Sequence, residues 1–185
     1  MDTRPSIEIV RFGAEDLTNN LAGLAGILHA SVEAGASINF MLPYDMKDAA
    51  DFWTRKVLPA LEGGKLVMLV AWLEGRIAGT VQLDHDMPPN QHHRAELRKL
   101  MVHPDFRNRG IARILMAEIE RVAGELGRSL ITLDTRTGDK AEPLYASLGY
   151  LTAGVIPGYC RDTVSERMDG ATFMYKHLQA SSVTS

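Results

Sequence analysis

The chain has 185 residues, 45% of them hydrophobic and 23% charged, with a formal net charge of −3. That is one domain's worth of chain with enough apolar residues for a core, and its acidic balance argues against general nucleic-acid binding, so any basic patch must be local. One cysteine, Cys160, excludes an intramolecular disulfide; there is no apolar run of membrane-span length and no signal-like apolar N-terminus, so the expected location is cytoplasmic.

Residues 6–12 (SIEIVRF) alternate and read as a first strand. Beyond Gly13, Leu17, Leu21, Leu24, Leu28 and Val32 recur at helical spacing, which predicts one helix over 15–33. Ala34-Gly35-Ala36-Ser37 interrupts it, and Leu42-Pro43 marks an irregular connection. Residues 45–61 read as a second helix with Ala49, Phe52, Trp53 and Val57 on one face, which Pro59 ends or bends. Between the two, residues 37–41 (SINFM) form either a mobile lip or an ordinary packed loop.

Residues 66–73 (LVMLVAWL) and 76–84 (RIAGTVQLD), joined by Glu74-Gly75, form a hairpin. A polar loop over 86–93 leads to a strand at 95–102, then to a short basic turn over 105–109. After Gly110 comes a long amphipathic helix: Ile111, Leu115, Ile119, Val122 and Leu126 share a face with Met116 and Ala123, and Gly127 stands at its C-terminal end. Residues 129–134 are a strand parallel to its predecessor, because a helix crosses between them. A further helix begins at 137–139 and runs to about Leu148, with Pro143 near its first turn and Gly149 at its end. A strand at 150–156 is broken by Pro157-Gly158-Tyr159; a polar excursion over 160–169 leads to a last strand at 171–177.

The segment Arg107-Asn108-Arg109-Gly110-Ile111-Ala112 gathers the unpaired N–H groups and partial positive charge of a helix N-terminus, with small residues at 110 and 112. Arg107, Arg109 and Arg113 add full charges, so a phosphate or pyrophosphate is the expected guest. On physical grounds alone a purely structural turn is an equal alternative.

Arg107-x-x-Gly110-x-Ala112, following a strand that ends in Val102-His103-Pro104, resembles the coenzyme A motif of the GNAT family of acetyl-CoA-dependent N-acetyltransferases, Gln/Arg-x-x-Gly-x-Gly/Ala. Further on, Leu144-Tyr145-Ala146-Ser147-Leu148-Gly149-Tyr150 resembles the family's Tyr-x-x-x-Gly-Phe/Tyr landmark. Two motifs in the right order are far more specific than either alone, and the order of elements agrees over residues 6–178. The resemblance implies an α/β GNAT fold: a mixed, largely antiparallel sheet of about seven strands, splayed at the centre, with helices on both faces. It implies a single domain over 1–178 followed by a flexible tail over 179–185.

The implied function is transfer of an acetyl group from acetyl-CoA, as co-substrate and with no metal, to a primary amine in a ternary complex. Family likeness assigns the backbone of Leu100, Met101 and Val102 to the pantetheine arm. It assigns Arg107, Asn108, Arg109, Gly110, Ile111, Ala112 and Arg113 to the pyrophosphate. Tyr145 takes the role of proton donor to the departing sulfur; a phenol, with a reference pKa of about 10, is protonated at neutral pH. Glu96 is the candidate base, since some members carry a Glu on this strand, with Asp84 and Asp134 as rivals or as partners of a substrate ammonium. Arg136 is a candidate for a substrate carboxylate. One departure stands out: where the family has an Asn seven residues before the Tyr, this chain has Gly138, with Thr137 and Asp139 as possible substitutes.

Residues 153–159 (AGVIPGY), with 133–138 (LDTRTG), are similar to the branch that includes the tabtoxin resistance protein, which acts on small amino-acid-like toxins. Acceptors on proteins and a non-catalytic acetyl-CoA sensor are the alternatives. A nucleotide-phosphate binder is disfavoured because the P-loop and dinucleotide glycine patterns are missing. His85, His92 and His93 lack ligand spacing, and Cys160 has no identifiable His partner. A homodimer through the C-terminal strands is a further expectation.

Overall fold

Eight consecutive residues of β2, Leu66–Leu73, are apolar and all but one are buried, which requires a strand covered on both faces. The computed structural model, which describes residues 6–179, places β2 inside a seven-stranded sheet. The other strands are β1 (Glu8–Phe12), β3 (Arg76–Asp84), β4 (Arg94–Val102), β5 (Leu130–Arg136), β6 (Leu151–Arg161) and β7 (Met168–His177). Their spatial order is β1-β2-β3-β4-β5-β7-β6, and each neighbouring pair is antiparallel except β4–β5. The expected mixed, largely antiparallel sheet is therefore present, and among the described residues no helix is long and apolar enough to cross a membrane.

One face carries α5 (Ile111–Glu125), whose Ile111, Leu115, Met116, Ile119, Val122 and Ala123 are buried as the periodicity predicts. They pack on Leu69, Leu83, Ala95, Leu97, Ile131 and Leu133. Gly79 of β3 makes this approach possible: a Cβ there would lie 2.8 Å from Ile111 Cγ2 and 3.0 Å from Leu115 Cδ1. Beside α5 lies α6 (Ala141–Ser147), which starts later than expected; residues 137–140 form a turn that Gly138 can take with its φ of +78°.

The opposite face is covered by α1 (Ala14–Asn19), α2 (Leu21–Glu33), α3 (Met46–Phe52) and α4 (Leu58–Glu62). The single helix expected over 15–33 is in fact two. The side-chain amide of Asn20 donates to the Asp16 carbonyl at 2.8 Å, a local bond that competes with helix continuation, and the chain turns there. The helix expected over 45–61 bends as Pro59 requires: residues Trp53–Val57 widen into a π turn before α4 begins. Trp53, fully buried, donates from Nε1 to the Leu24 carbonyl at 2.8 Å and ties this bend to α2.

The break expected at Pro157-Gly158-Tyr159 does not end β6. The strand runs on to Arg161, and the register against β7 slips between Ile156 and Cys160. As the outermost strand, β6 absorbs a proline and a glycine in a bulge, where a missing N–H costs no ladder bond on the open side. The polar excursion shrinks to a short turn before β7 begins at Met168. The expected tail lies, beyond residue 179, outside the described residues.

Candidate active site

Strands β4 and β5 pair only at Arg94–Leu130, Ala95–Ile131 and Glu96–Thr132. Beyond that point β4 continues to Val102 and β5 to Arg136 without pairing to each other, so the sheet splays open at its centre. The β5-facing backbone of Leu100, Met101 and Val102 lines the opening. Backbone N–H and C=O groups left there need partners, which an extended amide-bearing ligand can supply by adding along the strand.

At the outer end of the splay, β4 passes into a 3-10 turn at Pro104–Phe106 and then into α5. Asn108 and Gly110 both take positive φ, 63° and 80°, which folds the exposed backbone of residues 107–110 over the first turn of the helix. Gly110 is the N-cap residue, and Ile111 is buried beneath it. Arg109 is fixed by Glu74 at 3.2 Å and lies over the Phe106 ring; Arg113 reaches Ser147 Oγ of α6 at 2.8 Å. Arg107 reaches back to the Val102 carbonyl. The geometry is that of an anion seat: a 15-residue helix pointing its N-terminus at an exposed turn flanked by three guanidinium groups.

Tyr145 is 6% exposed and belongs to the core beneath α6. Its landmark has a mechanical reason. Gly149, with φ +88°, ends α6 and turns the chain so that the Tyr150 N–H returns to the Tyr145 carbonyl at 3.1 Å. The two rings then meet edge-to-face at 5.8 Å. Burial, then the charges of Asp134 and Asp139, push the Tyr145 phenol up from its ordinary value, so it keeps its proton throughout the neutral range. Thr137 and Asp139, near Gly138, are committed elsewhere: Thr137 Oγ1 meets Thr172 Oγ1 at 3.0 Å, and Asp139 pairs with Arg136 at 3.1 Å.

Since Ile131 and Leu133 point into the core under α5, strand alternation turns Thr132 and Asp134 to the α1–α4 side. On β4 the same logic puts Glu96 and Arg98 there, opposite Ala95 and Leu97. The candidate carboxylates are not equivalent. Glu96 faces Arg98 at 2.9 Å and Arg94 at 3.9 Å, and Asp84 faces Arg98 at 2.9 Å. Asp134 has no such partner within 4 Å among the described residues. Partial desolvation, then the charge of Glu96, raises its carboxyl above the usual aspartate range. Arg136 is placed away from any free role: it bridges Asp139, Asp162 and Asp169 at 3.1, 3.1 and 3.7 Å, joining β5 to the turn between β6 and β7.

Sequence reading missed Lys99. The register between β3 and β4 slips between Thr80 and Gln82, whose partners are Met101 and Arg98. The extra residue is absorbed at Lys99–Leu100, and Lys99 takes a φ of +51°. This bulge turns Lys99 to the same side as Arg98. Its Nζ donates to the Ile38 carbonyl at 2.6 Å and lies 5.0 and 5.6 Å from the ring centres of Phe40 and Phe52. Burial, then the neighbouring Arg98, bring its ammonium down to about 8. No local pattern in the sequence signals a bulge; a Lys in an apolar strand next to Leu100 and Met101 was the available hint. Residues 37–41 are held on a second side as well, by Thr163 Oγ1 on the Ala36 carbonyl at 3.0 Å and by the Leu42 N–H on the Thr163 carbonyl at 3.1 Å.

Residues 36–150, more than half of the chain, match the model of the acetyltransferase (GNAT) family. An acetyltransferase of Pectobacterium atrosepticum is 36% identical over 91 residues, 49% of this chain but only 61% of that protein. Among solved structures, a ribosomal-protein-alanine N-acetyltransferase from Brucella melitensis superposes with a TM-score of 0.74 at 24% identity, covering 92% of this chain and 99% of its own. A GCN5-related N-acetyltransferase from Kribbella flavida gives 0.74 at 20% identity, covering 93% and 98%. A Salmonella typhimurium structure solved with its cofactor acetyl-CoA gives 0.73 at 18% identity, covering 94% of each. At such identities these structures speak for the fold alone, whereas the family match rests on the sequence between residues 36 and 150, which contains the splayed strand, the turn at 107–112 and Tyr145: this chain belongs to the GNAT acetyltransferase family.

Proposed function

We propose that the protein transfers the acetyl group of acetyl-CoA to the primary amine of a small, amino-acid-like molecule, directly and within a ternary complex. The observation that carries this reading is the parting of β4 from β5 beyond Glu96 and Thr132, with Asp134 and Tyr145 beside the gap. The backbone amides of residues 107–112, exposed from 107 to 110, suit the pyrophosphate, and the open backbone of Leu100, Met101 and Val102 suits the pantetheine arm. A backbone N–H there would polarise the thioester carbonyl.

The bound ammonium first loses one proton to solvent; as the neutral amine nitrogen then bonds to the carbonyl carbon it becomes acidic, and Asp134 takes its second proton. When the C–S bond breaks, Tyr145 gives its proton to the departing thiolate, and both groups then re-equilibrate with solvent. Asp134 is preferred over Glu96 because the arginines around Glu96 and Asp84 already occupy those carboxylates. Such a reaction suits a cytoplasmic protein. The outer edge of β6 supports pairing with a second copy, since Leu151 and Tyr159 are 58% and 51% exposed; light scattering that finds only monomer would remove this.

The test is thiol release from acetyl-CoA against a panel of amines: amino acids, aminoglycosides, polyamines and peptides. Turnover confined to small amino-acid-like amines, and reduced in Tyr145→Phe, is the expected result. Acetyl-CoA binding without turnover of any amine would make the protein a sensor, and turnover of peptides alone would make it a protein acetyltransferase.

A further inference from the structure

Among the described residues, Arg94, Arg98, Lys99 and Arg136 are the cations on the β4 and β5 strands that border the splay, and three of these four are neutralised. Arg94 and Arg98 face Glu96, Arg98 also faces Asp84, and Arg136 is bound to three aspartates. Lys99 differs. Its ammonium carries three N–H groups, one of which goes to the Ile38 carbonyl, while the rings of Phe40 and Phe52 cover it on other sides. Among the described residues no carboxylate lies within 4 Å of it. On the far strand Asp134 is the matching exception, a carboxylate without a cation. Each feels the other's charge, yet no ion pair joins them.

An unpaired cation and an unpaired anion that share one opening, turned to one side of the sheet, are complementary to a molecule carrying both charges. We infer that Lys99 is a specificity-determining residue that binds the acidic group of a zwitterionic acceptor, while Asp134 holds that acceptor's ammonium. This rests on the acetyltransferase reading above and names the acceptor class within it: an amine that bears a carboxylate or another anionic group a few bonds away. The cost of keeping Lys99 charged in a desolvated, ring-walled position falls when an anion arrives. Binding therefore draws a proton onto Lys99 at alkaline pH. The charges that reach Lys99 are Arg98 beside it on β4 and Asp134 across the splay on β5; beyond the Phe40 ring lies Tyr44, its ring tilted against Phe40 with centres 4.8 Å apart. Tyr44 is pushed up to about 12 by burial, so it stays neutral over the relevant range.

The experiment compares wild type, Lys99→Arg and Lys99→Met on paired acceptors: α-amino acids, aminophosphonates and aminosulfonates, each against the matched amide or decarboxylated amine. Acetyl-CoA binding by calorimetry reports that each variant is folded. The expected wild-type kcat/KM favours the anionic member of at least one pair by about tenfold or more. In Lys99→Met that ratio collapses toward one, through KM more than kcat, and Lys99→Arg restores it. KM for the anionic acceptor rises above pH about 8 in wild type and stays flat there in Lys99→Arg. A wild type that turns over uncharged amines equally well, or a Lys99→Met variant that keeps the ratio, overturns the assignment of Lys99 and leaves the acetyltransferase reading standing. A wild type that binds acetyl-CoA but acetylates no amine overturns both.

Discussion

The two ends of the splay are built by different means. At the end proposed for the donor, one continuous stretch from β4 through the 107–110 turn into α5 offers almost everything, and it does so with backbone amides and adjacent arginines. At the end proposed for the acceptor, the groups come from β3, β4, β5, α6, the 36–42 segment and the β6–β7 turn, and side chains would carry the chemistry. A backbone site depends on local conformation, so it tolerates changes of side chain but not of φ. A side-chain site depends on which strands are neighbours and which way each residue faces. Mutations at the two ends should therefore fail differently.

The largest effects belong to the acceptor end. Asp134→Asn and Tyr145→Phe should each lower kcat by about 10²-fold or more while acetyl-CoA affinity, measured by calorimetry, stays near wild type. A variant that loses acetyl-CoA binding instead would move that residue to the donor end. Asp134→Asn carries a second expectation. The folded-state carboxyl is raised, so the folded protein holds the proton more tightly than the unfolded chain; stability falls as pH climbs from the unfolded value toward the raised one, and that loss is complete above it. Removing the charge should leave the melting temperature at neutral pH equal to or above that of wild type, an inactive variant that is no less stable.

At the donor end the sharpest break is Gly79→Ala. The added methyl meets Ile111 Cγ2 at 2.8 Å and the Met101 carbonyl oxygen at 3.1 Å, so α5 must shift away from the sheet. A stability loss of about 1–3 kcal/mol and weaker acetyl-CoA binding should appear together in denaturation and calorimetry. Gly110→Val tests the same end without crowding, since nothing lies within 4 Å of its Cβ position and only the φ of +80° opposes it. Its cost should be about 1–2 kcal/mol, again with donor affinity falling and acceptor selectivity kept.

The pH profile separates the two ends more gently. With Asp134 as base, kcat/KM should rise with pH through a midpoint above the ordinary aspartate value of about 3.9, because its carboxyl is raised. The phenol of Tyr145 is raised too, so it should impose no alkaline limb below pH about 10. A limb there in an acceptor lacking any anionic group would contradict the acid role of Tyr145. The smallest effect is expected from Arg136→Met. It should loosen the turn at 162–167, detected by faster amide exchange, and lower the melting temperature modestly, with acetyl-CoA affinity unchanged.

How much of this was legible beforehand follows the same division. The α5 stripe, the β2–β3 hairpin, Gly127, Gly149 and the two motif stretches could be read from spacing, because helix and strand periods and left-handed glycines are local properties. Asn20 split a helix whose leucine spacing ran straight through it, since a side-chain bond to the Asp16 carbonyl outcompeted the period. Pro157 and Gly158 read as a break but sit in a bulge, because the sequence does not disclose that β6 is the outermost strand. Glu96, Asp84, Asp134 and Arg136 looked alike as strand-end charges. Their ranking appeared only when neighbouring strands brought Arg98 to two of them and three aspartates to Arg136.

By itself, then, the sequence determined the order of strands and helices, the strand–turn–helix stretch with its exposed arginine-rich turn, and the family to which they belong, since each is written within a few residues of chain. Only the tertiary structure decided which charges remain unpaired in the opening. Pairing depends on distances between residues as far apart as Ile38 and Lys99 or Arg136 and Asp162, and on a single-residue bulge that decides which way Lys99 faces.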